Sequence, residues 1–106
     1  MQGYIVNKPL GQTFGFTVGT TVTALPSIPS SAIRAVIQVE TQPIRMTFDG
    51  LTTSVTVGVG FYVGTISTLN SITVEGWDNL NRTYMRCNGS TASLINVLYE
   101  GEGQPS

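Results

Sequence analysis

From Ile33 to Phe48 apolar and polar residues alternate almost without a break. Ile33, Ala35, Ile37 and Val39 fall on one side of an extended segment, with Arg34, Val36, Gln38 and Glu40 on the other. After Thr41-Gln42-Pro43, Ile44, Met46 and Phe48 continue the pattern against Arg45, Thr47 and Asp49. Successive side chains of a strand point to opposite faces, so this period-two pattern makes half-buried strands. A helix competes over Ala32–Glu40, where Ser30 or Ser31 offers a cap and Ile33, Val36, Ile37 and Glu40 have helical spacing. The alternation and the β-branched content decide for strand, because branched side chains are stiff at χ1 and fit a pleated surface.

The rest of the chain repeats that texture. Thr13–Val18 sets Phe14, Phe16 and Val18 against Thr13, Gly15 and Thr17. Short strands are expected over Thr20–Leu25, Thr53–Val59, Phe61–Val63, Ser71–Trp77, Arg82–Cys87 and Thr91–Glu100. Pro26 and Pro29 make Leu25–Ser30 a loop, since proline lacks a ladder donor and restricts its predecessor. Asp49-Gly50 and Asp78-Asn79-Leu80-Asn81 read as turns. Asn88-Gly89 reads as a tight hairpin with positive φ, joining Arg82–Cys87 to Thr91–Glu100. Segments 33–39 and 44–48 are expected to pair antiparallel, with Ile33, Ala35, Ile37, Val39, Ile44, Met46 and Phe48 inward. About eight short strands in one small domain predict an all-β, antiparallel β-sandwich of jelly-roll-like form. The expected organisation is an irregular N-terminal arm over 1–11, a single sandwich domain over 12–100 and a polar C-terminal tail over 101–106.

Composition removes most chemistry. The 106 residues include no histidine and one cysteine, so the usual neutral-pH base, most zinc sites and any internal disulfide are excluded. Five Lys and Arg residues, scattered as Lys8, Arg34, Arg45, Arg82 and Arg86, form no stripe that could follow phosphates, so no nucleic-acid partner is expected. No apolar run approaches the ~20 residues of a membrane span. Met1-Gln2-Gly3-Tyr4 carries no basic region and no apolar stretch follows, which predicts synthesis in a reducing cytoplasm. Charged residues make up 10% of the chain with net charge −1, against a usual ~25%. Charge keeps free-standing domains apart, so its scarcity predicts packing against a partner and self-association.

Individual residues offer few sites. Glu40 and Asp49 lie on the polar face, where pairing with Arg34 or Arg45 outweighs a two-carboxylate hydrolase. Asp78–Asn81 lacks the spacing of a calcium loop. Gly58-Val59-Gly60 through Gly64 has the outline of a dinucleotide fingerprint, but no helix pattern follows, and its glycines suit turns or bulges. Cys87 has no histidine to activate it and is expected to be a small buried side chain. Asn81-Arg82-Thr83 and Asn88-Gly89-Ser90 match a glycosylation pattern that has no meaning without secretion. Most aromatic residues lie at core parities; Tyr62, Trp77 and Tyr84 are the candidates for exposure. No enzyme activity, cofactor or metal is expected.

The run Ala32–Gly50 resembles small all-β virion proteins of tailed bacteriophages. In these a strand ending in an acid, here Glu40, passes through a short turn into a strand bearing an arginine, here Arg45, and then an Asp-Gly turn, here Asp49-Gly50. Thr52-Thr53-Ser54, Gly58 or Gly60, Asn79-Leu80 with Tyr84, and the closing Ile95-Asn96-Val97-Leu98-Tyr99 extend the resemblance over residues 32–100. It departs in lacking the proline that often follows the Asp-Gly turn. The resemblance implies a head decoration or cement protein on the capsid exterior, commonly a homotrimer, whose partners are the major capsid protein and itself. A carbohydrate-binding or fibre- or tail-associated virion module is the alternative. Candidate partner contacts are Tyr4, Ile5, Val6 and Pro9 in the arm, which can reach up to ~35 Å when extended, and Tyr62 and Trp77.

Overall fold

The computed structural model describes residues 5–51, 55, 59–65 and 70–105. Two antiparallel four-stranded sheets share one apolar core. The strands are β1 (Ile5–Val18), β2 (Thr23–Ala24), β3 (Arg34–Val39), β4 (Ile44–Thr47), β5 (Phe61–Val63), β6 (Ser71–Glu75), β7 (Tyr84–Cys87) and β8 (Ser93–Pro105), with a short helix α1 (Trp77–Asn81) between β6 and β7. The all-β expectation therefore holds. One sheet runs β1-β8-β3-β6 and the other β2-β7-β4-β5. First strand pairs with last, second with seventh, third with sixth and fourth with fifth. This is the path of one long hairpin wound on itself.

That path corrects two expected hairpins. β3 and β4 do not pair; they belong to opposite sheets, and Thr41–Pro43 carries the chain across. The buried Ser93 hydroxyl donates to the Gln42 carbonyl at 2.6 Å, and Thr41 Oγ1 accepts from the Leu94 amide at 2.9 Å, which fixes the crossing. β7 and β8 likewise lie in different sheets, so Asn88-Gly89 is an inter-sheet connection and Gly89 is not in the left-handed region. A two-residue turn requires its flanking strands to be neighbours, and the neighbours of β7 are β2 and β4.

The core follows the alternation. Ala35, Ile37, Val39, Ile44 and Met46 are buried together with Ile95, Val97, Tyr99, Met85 and Val74. Ile33 and Phe48, expected inside, sit at the margins: Ile33 is exposed and Phe48 half-buried. Asp78–Asn81, expected as a turn, forms most of the five-residue α1. Gly76 adopts φ 97° to start it, and the buried Thr83 hydroxyl closes it by donating to the Asn79 carbonyl at 2.7 Å.

Residues 5–11, expected to be irregular, are strand, and so are residues 101–105 of the expected tail. The two pair as a ribbon, with Asn7 opposite Glu102 and Pro9 opposite Glu100, in a molecule 53 Å long and 28 Å wide. Pro9 is tolerated because β1 is an edge strand and its missing donor costs no ladder bond on the outer side. The strand expected over 53–59 lies largely outside the described residues.

Candidate functional site

At the open side of the sandwich the edge strands β5 and β6 face one another. Phe61 lies opposite Met46 in the ladder, and Met46 is buried, so Phe61 has core parity. β5 is the outermost strand, however, and Phe61 remains 64% exposed. Its ring tilts against Phe48 with centroids 5.5 Å apart. Together with Ile72, Val74, Glu75 and Asn79 the two rings line a groove of about 280 Å³. Leu51 and Val59, both ahead of β5 in sequence, are further exposed apolar side chains. Phe61, Leu51 and Val59 thus leave large apolar side chains exposed to solvent.

Tyr62 points to the other face of β5, where the Arg45 guanidinium stands 4.9 Å from its ring centroid. The same guanidinium donates from Nε to Asn88 Oδ1 at 2.7 Å and from Nη1 to the Gly60 carbonyl at 3.1 Å. A delocalised cation over a ring face is attracted by the ring quadrupole, so Tyr62 is held in place while half exposed. Gly60 adopts φ 111°, and a Cβ there would lie 2.8 Å from the Met46 carbonyl oxygen. Positive φ and that close approach are the two reasons for glycine here; the turn-or-bulge reading covers only the first.

The expected contact residues do not converge on one site. Trp77 is exposed and opens α1, but it does not line the groove that Asn79 lines. Tyr62 lies on the opposite face of its strand from Phe61. Ile5, Val6 and Pro9 are on β1, in the ribbon. Tyr4 lies outside the described residues. Tyr84 is half-buried. Sequence parity missed Phe61 and also Phe14, which is 73% exposed. The missed signal for Phe14 is Gly15, a glycine inside a strand, which marks a bulge.

The acidic candidates are accounted for by local structure. Glu40 accepts from Asn96 Nδ2 on the outer face of the first sheet, and Asp49 Oδ1 accepts from the Leu51 amide at 3.0 Å. They follow the ends of β3 and β4, strands of opposite sheets. The ion pair of this face is Arg34–Glu100, with Nε and Oε1 3.1 Å apart, close as charges but not aligned as a hydrogen bond. Cys87 is fully buried, and its thiol donates to the Gly89 carbonyl at 3.1 Å. Among the described residues no three His, Cys, Asp or Glu side chains gather into a metal-binding group. Comparison with known protein families, with curated proteins and with solved structures finds no match.

Proposed function

We propose that the chain is a structural virion protein of a tailed bacteriophage, a decoration or cement protein that bridges capsid subunits on the exterior of the head. In this reading the wound hairpin is a jelly roll, an architecture of viral capsid proteins that leaves its outer faces free for neighbours. The observation that carries the reading is the combination of scarce charge with exposed rings. Phe61, Tyr62 and Trp77 stand out from a chain in which 10% of residues are charged. Burying such area against a capsid or another copy is worth roughly 25 cal/mol per Å². The β1–β8 ribbon supports the same reading, because it presents edge backbone groups to which a neighbour's strand can add. Several weak contacts on one symmetric lattice multiply into firm attachment.

The test is cosedimentation of the purified protein with expanded capsids, scored as copies per particle. Hundreds of copies are expected. A handful of copies would move the protein to a vertex, neck or fibre, and no binding would overturn the reading. Light scattering of the free protein at micromolar concentration should give a trimer.

A further inference from the structure

The outer face of the first sheet carries a built groove that packing does not require. Its rows cross the sheet in register: Gln12 lies opposite Leu98 and Leu98 opposite Val36, while Asn96 lies opposite Gln38 and Gln38 opposite Ser71. Between Thr13 and Phe16, β1 advances three residues where β8 advances two. The extra residue is accommodated at Gly15, with φ 66°, and the Gly15 amide donates to Asn96 Oδ1 at 3.1 Å. A bulge re-aims a side chain. Here Phe16 stays packed against the core, and Phe14, which unbroken alternation would place on the same face, stands out over the groove.

The groove holds about 330 Å³, within the lower range of small-ligand sites at roughly 300–1,000 Å³. Phe14, Val36 and Leu98 give it apolar surface, the Asn96–Gln38–Ser71 row gives it a polar side, and Gln12 adds a carboxamide at the end of the Leu98 row. Asn96 is the organiser. Its carbonyl holds the bulge, and its amide donates to Gln38 Oε1 at 3.3 Å and to Glu40 Oε1. With the Gln38 oxygen occupied, its NH₂ group is left as a donor. The Gln12 carboxamide and the Ser71 hydroxyl have no partner among the described residues. No charged side chain lines the groove. Glu40 is engaged by Asn96, and Arg34, two residues before Val36 on β3, faces Glu100.

From this we infer a binding site for a neutral saccharide of one or two rings. A pyranose has an apolar C–H face, which suits an exposed phenyl ring, and an equatorial hydroxyl rim, which suits carboxamides and a hydroxyl. An anionic ligand would find no cation in the groove and would meet the Glu40 carboxylate behind Asn96. The Gly15 bulge sets the direction of Phe14, and hydrogen bonds hold Asn96 and Gln38 in advance, which lowers the ordering cost of binding.

The test is saturation-transfer NMR on the intact protein with maltose, cellobiose and N,N′-diacetylchitobiose at millimolar concentration, with sialyllactose and a heparin disaccharide as charged comparators. At least one neutral sugar should give saturation transfer and shift the side-chain resonances of Gln12, Gln38 and Phe14, and the charged sugars should not. Phe14→Ala should weaken binding at least tenfold with an unchanged melting temperature, since the ring is exposed, and Gln38→Ala should weaken it too. Silence with all neutral sugars, equal binding of the charged ones, or full binding by Phe14→Ala would overturn the site. A Phe14→Ala change that alters sedimentation but no sugar signal would assign the face to self-association and overturn it as well.

Discussion

The Tyr99 hydroxyl donates a hydrogen bond to the Pro26 carbonyl, tying the closing strand to a proline-bounded loop 73 residues earlier. Tyr99 is among the largest fully buried side chains, and its ladder neighbours are Ala35 on β3 and Gly11 on β1. The loop it holds includes Ser27 in the left-handed region at φ 50°. Tyr99→Phe keeps the packing and removes the bond, leaving the Pro26 oxygen half-buried without this donor. The expected cost is about 1–2 kcal/mol in urea unfolding, with faster hydrogen exchange in the 25–30 loop. An unchanged midpoint would mean that water replaces the phenol without loss.

The same burial gives the phenol a pH signature. Desolvation raises the Tyr99 pKa well above its ordinary value of 10.0. Below that value both folded and unfolded chains hold the proton, and Tyr99 contributes no pH dependence. Above it the unfolded chain ionises while the folded chain keeps its proton, so the unfolded state gains and stability falls. The slope attributable to this residue approaches about 1.4 kcal/mol per pH unit. Unfolding curves from pH 9 to 11 should decline more steeply for the native chain than for Tyr99→Phe. Parallel curves would remove Tyr99 as the cause.

Two glycines distinguish the observed path of the chain from the expected one. Gly60 combines φ 111° with the Met46 carbonyl 2.8 Å from a Cβ position, whereas a Cβ on Gly89 meets nothing within 4 Å. Gly60→Ala should therefore cost at least about 1–3 kcal/mol, and Gly89→Ala should stay within about 0.5 kcal/mol. Thermal melts of the two variants check this directly. A large loss at Gly89 would restore the tight hairpin and contradict the sheet assignment.

Which side of β3 and β4 faces inward was legible; which strands pair was not. Alternation correctly placed Ala35, Ile37, Val39, Ile44 and Met46 inside, because a period of two is a property of one strand. Pairing depends on partners far along the chain, and turn signals such as Asn88-Gly89 serve crossings between sheets as well as hairpins. Pro9 suggested an irregular arm, yet an edge strand accepts it. Gly101–Pro105 looked like a tail because its sequence has no apolar alternation, and backbone pairing with β1 does not require one. At the surface, Tyr62 and Trp77 are exposed as their sequence context suggested. Phe61 and Phe14 escaped notice because edge position and a bulge override parity.

Cys87 reports on the core without altering it. Its thiol is buried and donates to the Gly89 carbonyl, so a disulfide reagent reaches it only when β7 opens. Labelling in native buffer should be slower than in denaturant by several orders of magnitude, following the opening equilibrium of a domain stable by about 5–15 kcal/mol. Rapid native labelling would show that the 88–92 connection opens locally rather than with the sandwich.

Arg45 joins three segments that the sequence leaves far apart. Its fork holds the Asn88 side chain in the β7–β8 connection and the Gly60 carbonyl ahead of β5, and its plane covers Tyr62. Asn88 is itself anchored, its amide donating to the Pro43 carbonyl at 3.0 Å. Lysine would keep the charge and some attraction to the ring but lose the two directed bonds, so Arg45→Lys should cost about 1–2 kcal/mol. A double-mutant cycle separates the contributions. Arg45→Ala with Asn88→Ala should show a coupling of about 1 kcal/mol, and Arg45→Ala with Tyr62→Ala about 0.5–1 kcal/mol. Because Asn88 is neutral, the first coupling should barely change between low and high salt, whereas the Arg34–Glu100 pair should weaken as salt rises. Additivity of the Arg45 and Asn88 substitutions within about 0.3 kcal/mol would show that the bond between them does not stabilise the fold.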